Sequence, residues 1–81
     1  MKTIIHPKTD YLRLLMENLD GLTANEISEI HFCDVAPSTA RKALTRLYKQ
    51  GCATREKEGR EHRYWITHKG ILRYEYLLKK S

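Results

Sequence analysis

Seven side chains between positions 38 and 49 have the types and spacing most suggestive of chemistry: Ser38, Thr39, Arg41, Lys42, Thr45, Arg46 and Lys49. In a helix they fall on one side. The other side holds Ala40, Ala43, Leu44, Leu47 and Tyr48, which recur at i, i+3, i+4, i+7 and i+8 and are expected to be buried. The outward side therefore offers hydroxyls and fixed positive charge. It contains no Asp or Glu, whereas an ordinary solvated helix face mixes Glu with Lys for the support such pairs give. A face of this kind suits a negatively charged partner rich in hydrogen-bond acceptors.

Other chemistries find less to work with. His31, Cys33, Cys52 and His68 contain metal-ligating atoms, but His-x-Cys is not a zinc spacing and there is no Cys-x-x-Cys pair. No glycine-rich phosphate loop is present, and no nucleophile is flanked by a plausible base. A chain of 81 residues also has a thin core with little room for a substrate pocket. The chain is expected to have no catalytic residues, no metal and no cofactor.

Charge is distributed unevenly. The formal net charge is +5. Residues 1–36 carry three Lys/Arg against six Asp/Glu, residues 37–65 eight against three, and residues 66–81 four against one. A basic block thus sits behind an acidic front, as expected of a phosphate-binding surface. The two cysteines lie far apart, which suits a reducing compartment. The first seven residues hold no secretion signal, and no apolar run approaches the ~20 residues that cross a bilayer. A cytoplasmic, nucleoid-associated protein with no membrane partner is expected.

The elements that must position the basic face can be read from periodicity and caps. A first helix is expected over Lys8–Leu19, with Leu12, Leu15, Met16 and Leu19 buried and Gly21 as its stop. Thr23 and Glu26 form a capping box that opens a short second helix, with Ala24, Ile27 and Ile30 as its apolar stripe. Residues 31–36 read as a turn. The third helix runs from Pro37 to about Gln50. After Gly51 the period becomes two, giving strands over Cys52–Glu58 and His62–Thr67 joined around Gly59. Arg55 and Lys57 make one face of the first strand basic. Thr67 is the expected N-cap of a last helix over His68–Lys80.

Helix, helix, turn, helix and a charged hairpin, in that order, describe a helix-turn-helix followed by a wing. Such a unit lays its second helix in the DNA major groove, where the residues near its N-terminus reach base edges. Arg41 and Lys42 can donate to guanine or pair with phosphate, Ser38 and Thr39 can contact either, and Thr45 and Arg46 lie one turn further on.

The stretch from Pro37 to Gly51 resembles the recognition helix of winged helix-turn-helix regulators, including MarR-like and GntR-like proteins and small regulators of pilus operons. Arg63-Tyr64-Trp65-Ile66-Thr67-His68-Lys69-Gly70 resembles their second wing strand and the helix start after it. The resemblance covers roughly residues 10–75. It implies a small α+β fold of three helices, a two-stranded wing and a C-terminal helix, a prokaryotic transcription regulator, and wing contacts from Lys57, Arg60, His62 and Arg63. Ala36 stands where these families often place a Ser or Thr cap, and Cys52 and Ala53 replace a larger aliphatic pair. No counterpart of the long flanking helices of MarR-like proteins or the effector domain of GntR-like proteins is expected within these 81 residues.

One domain over 1–81 is therefore expected, binding double-stranded DNA through Ser38, Thr39, Arg41, Lys42, Thr45, Arg46, Lys57, Arg60 and Arg63. Glu58 and Glu61 at the wing tip either orient Arg60 and Arg63 or keep the wing away from DNA. Ile71, Leu72, Tyr74, Tyr76, Leu77 and Leu78 cover more than one face of the last helix. This fits a homodimer, or alternatively packing on the same chain with Ile4 and Ile5. A phage or plasmid protein of excision, replication or partition, and a winged helix that binds protein, would share the same elements.

Overall fold

A computed structural model describes residues 7–80. Helix α1 (Lys8–Glu17) is followed by the short strand β1 (Leu22–Thr23) and a single turn of helix, α2 (Ala24–Glu26), which continues as a wider π-type turn over Ile27–His31. Helix α3 (Pro37–Lys49), strands β2 (Ala53–Glu58) and β3 (Glu61–Ile66), and helix α4 (His68–Lys80) complete the chain. The fold is α+β. The expected packing of Ile4 and Ile5 lies outside the described residues.

The core forms where the apolar stripes meet. Tyr11, Leu12, Leu14 and Leu15 of α1 pack with Leu22, Ala24, Ile27, Phe32 and Val35, with Ala40, Leu44 and Leu47 of α3, and with Cys52, Ala53 and Tyr64. Tyr11 meets Phe32 edge-on, with ring centroids 5.3 Å apart, the geometry an aromatic quadrupole favours. Tyr74 and Leu77 of α4 rest against this cluster.

Two caps expected from sequence are present. The Glu26 amide donates to Thr23 Oγ1 at 3.1 Å, and the Thr23 amide donates to Glu26 Oε1 at 3.0 Å. The Thr67 hydroxyl accepts from the Gly70 amide at 3.1 Å and donates to the Gly51 carbonyl at 2.7 Å. That hydroxyl therefore opens α4 and fastens it to the end of α3.

Three expected burials are corrected, two of them by a local backbone event. Helix α1 stops at Glu17, where the Asn18 side chain donates to the Leu14 carbonyl at 2.8 Å, so Leu19 leaves the helical period and is 73% exposed. In the π-type turn the Phe32 amide reaches the Ile27 carbonyl, five residues back, at 2.7 Å. Three residues no longer complete such a widened turn, and Ile30 is 67% exposed while Phe32 and Val35 take the core positions. Tyr48, expected inside, is 41% exposed and carries the Arg55 guanidinium 4.2 Å from its ring centroid.

The sheet has three strands rather than two, in the order β1-β3-β2 and antiparallel throughout. Pairing runs from Ala53↔Ile66 to Glu58↔Glu61 on one side of β3, and Leu22↔Tyr64 and Thr23↔Arg63 on the other. Two residues are too few to show alternation, so β1 carries no sequence signal of its own. It nevertheless bonds the start of the helix-turn-helix to the wing.

Two glycines allow this packing. Gly21 adopts φ +90°, and a Cβ there would lie 2.8 Å from both Arg63 Cγ and the Trp65 ring. At Gly70 a Cβ would fall 2.1 Å from the Cys52 carbonyl oxygen, so α4 can start against β2 only without a side chain at that point. Cys52, whose carbonyl makes this close approach, and Ala53 after it are both buried. Gly70→Ala is expected to lower the unfolding free energy by at least about 1–3 kcal/mol, the usual range for overpacking, measured as a reduced midpoint in urea.

Candidate nucleic-acid interface

Helix α3 presents its basic face as the sequence spacing requires. Ala40, Leu44 and Leu47 are buried, Ala43 and Thr45 are half-buried, and Ser38, Thr39, Arg41, Lys42, Arg46 and Lys49 are exposed. Arg41, Lys42, Thr45, Arg46 and Lys49 together line one shallow groove along the helix. Lys49 belongs to this row although it was not among the expected contacts; its place one turn beyond Arg46 was the available signal. No carboxylate lies anywhere on α3.

The start of α3 is open. Ala36 is extended and supplies no side-chain cap, and Pro37 occupies the first turn. The Thr39 and Ala40 amides close on the Ala36 carbonyl at 3.0 and 3.1 Å. The N-cap residue thus makes no side-chain bond at the positive end of the helix dipole, the end that also carries Arg41 and Lys42.

The wing residues divide into two groups. Lys57 and Arg60 are exposed on β2 and in the β2–β3 turn, positions from which they can reach a backbone outside the protein. Arg63 is placed differently. Its Nε donates to Glu58 Oε2 at 2.6 Å and its Nη2 to Glu58 Oε1 at 3.2 Å. Its Nη1 donates to Glu26 Oε1 and to the Gly21 carbonyl, each at 3.0 Å, and Nη2 lies 3.4 Å from Glu26 Oε2. The side chain is 21% exposed.

These bonds set the local electrostatics. Hydrogen bonds to Glu58 first, then to Glu26, hold the Arg63 guanidinium above its already high range. The Arg63 donors in turn hold the Glu58 carboxyl below the usual carboxylate range. A carboxylate with a lowered pKa adds stability above its unfolded value and gives it up as pH falls through the folded one. The Glu58–Arg63 tie therefore stands at neutral pH and opens only in acid.

Arg55 is also turned inward. It covers the Tyr48 ring of α3 and reaches the Tyr64 hydroxyl of β3 at 3.5 Å, joining helix to wing. Sequence alternation placed it on a basic edge with Lys57, but not over Tyr48. The double duty of Glu26, as capping box and as partner of Arg63, was equally invisible, because it depends on a residue 37 positions away.

Metal-ligating groups do not converge among the described residues. Cys33 is exposed and Cys52 buried. No described helix is long and apolar enough to cross a membrane.

Comparison with known proteins agrees with this architecture. The chain superposes on the transcriptional regulator SlyA with a TM-score of 0.73 at 27% identity, over 93% of this chain and 53% of that one. It superposes on a MarR protein from Peptoclostridium difficile with a TM-score of 0.73 at 24% identity, over 90% and 48% of the two chains. A third similar structure is the PcaV transcriptional regulator from Streptomyces coelicolor, with a TM-score of 0.72 at 19% identity over 91% and 52%. The chain thus spans about half the length of these proteins. No curated protein matches it in sequence. The model of the penicillinase repressor family matches residues 11–72, the span from α1 through the helix-turn-helix and the wing into α4. With its fold and its family both those of winged-helix transcription regulators rather than enzymes, the chain is a member of the penicillinase repressor family.

Proposed function

We propose that the chain is a prokaryotic transcription regulator that binds double-stranded DNA at specific sequences, with α3 in the major groove and the wing beside it. The observation that carries this reading is the face of α3, which joins three hydroxyls and four cations without one carboxylate on the helix. Ser38, Thr39, Arg41 and Lys42, near the N-terminus, are positioned to meet base edges, and Thr45 and Arg46 to follow along the groove. Lys57 and Arg60 would take flanking phosphates. Arg63 serves the same interface from behind, as the strut that sets the wing angle.

We further infer that residues 1–81 act as one domain and that two copies pair through α4, where Leu72 and Tyr76, one turn apart, are each about half exposed. A two-fold pair would match two DNA half-sites. Such a regulator would work in the cytoplasm at the nucleoid.

Selection of bound fragments from a random duplex library, followed by salt titration on the best site, tests the reading. One short palindromic motif is expected, and no retention even in low salt would sink it. On that site Arg41→Ala should cost roughly 1–3 kcal/mol of binding and relax preference at one base pair. Lys57→Ala and Arg60→Ala should each lower the slope of log K against log salt by about one. Arg63→Ala should weaken binding and leave that slope unchanged, because no phosphate contact is lost. Equilibrium sedimentation checks pairing: Leu72→Glu should shift the species from dimer to monomer.

A further inference from the structure

A small cleft of about 100 Å³ opens where the first turn of α3, the start of α2 and the β2–β3 turn meet. At ~30 Å³ per water it has room for a group the size of a phosphate. Arg41 and Pro37 line it from α3, and Arg60, Glu61, His62 and Tyr64 from the wing. With α3 in a major groove and the wing outside it, the DNA strand bordering that groove would run beside this cleft, which lies between the start of α3 and the wing turn. This inference therefore rests on the DNA reading and locates one contact within it.

The charges around His62 give the cleft a second property. On β2 the residue paired with His62 is Lys57. Arg60 and Glu61 flank it on the turn, and Arg41 faces the cleft from α3. The Tyr64 ring is 6.4 Å away and tilted by 55°, and the start of α2 contributes Ala24 and Asn25, neither of which titrates. Three cations and one carboxylate thus surround the imidazole. A phosphodiester seated among them would add negative charge beside the ring, and an opposite charge nearby favours the protonated form. Imidazole is the side chain that gains and loses its proton across the physiological range.

We propose that this cleft seats one backbone phosphate of bound DNA and that His62 takes up a proton from the buffer as it does so. Affinity then rises as pH falls, with linkage limited to about tenfold per pH unit for one proton.

The test measures Kd for a selected duplex between about pH 6 and about pH 8 at fixed ionic strength, across the range in which imidazole titrates. The wild type should bind roughly three- to tenfold more tightly at the acid end, with a salt slope steeper by about 0.9. His62→Gln should lose this pH dependence, and His62→Lys should bind independently of pH with the steeper slope throughout. In the ring spectrum of His62, followed by NMR, the titration midpoint should move to higher pH in the complex. Equal pH dependence in the wild type and His62→Gln, with DNA still bound, would overturn the assignment. Inorganic phosphate alone protonating His62 as fully as DNA does would also overturn it, marking a free-anion site. Absence of DNA binding at every pH would instead remove the DNA reading on which the assignment stands.

Discussion

The Arg63 guanidinium adds side-chain bonds across parts of the chain that the β1-β3-β2 ladder brings together. It bonds to Glu58 at the far end of β2, to Glu26 in the first turn of the helix-turn-helix, and to the Gly21 carbonyl that precedes β1. A planar fork with five donors can serve several acceptors in one geometry, which a lysine ammonium cannot do. The same carboxylate that receives Arg63 also closes the capping box on Thr23. The angle of the wing and the start of α2 are therefore set by one shared group. Gly21 completes the joint by leaving room for Arg63 and Trp65.

The basic surface depends on this joint for its shape. The basic face of α3 is built by local rules, since a stripe of Ala and Leu buries one side and leaves the other exposed. The wing has no core of its own: β2 has a buried residue only at Ala53, and β3 only at Tyr64. Two arginines supply what burial does not. Arg63 ties the wing to α2, and Arg55, lying over Tyr48 and reaching Tyr64, ties it to α3. Of the wing cations, these two serve architecture, while Lys57 and Arg60 remain exposed.

Sequence reading recovered the features that depend on near neighbours. The bounds of α3 and α4, the Thr23–Glu26 box and the Thr67 cap all follow from residues within one helical turn of each other. It failed where a local backbone event broke a period, as with Leu19 beyond the Asn18 stop and Ile30 in the π-type turn. It also failed where the partner lies far along the chain. Strand β1 is two residues long and exists because β3 offers it a ladder. The separation of the arginines into exposed and engaged ones has the same origin, since composition shows the charge of Arg63 but not the two carboxylates that hold it. The site's residue types were legible, and its division of labour was not.

The contact between Gly70 and the Cys52 carbonyl has a mechanical meaning. The Thr67 hydroxyl and the missing Cβ at Gly70 press the first turn of α4 onto the segment that ends α3. The close approach leaves little room between these segments, so α3 and α4 meet at a tight elbow. In a two-fold pair built on α4, the distance between the two recognition helices would be fixed by that elbow rather than by a flexible linker. Such a pair would act as a caliper: it would tolerate change in the bases it does not touch, but not the insertion of one base pair between the half-sites.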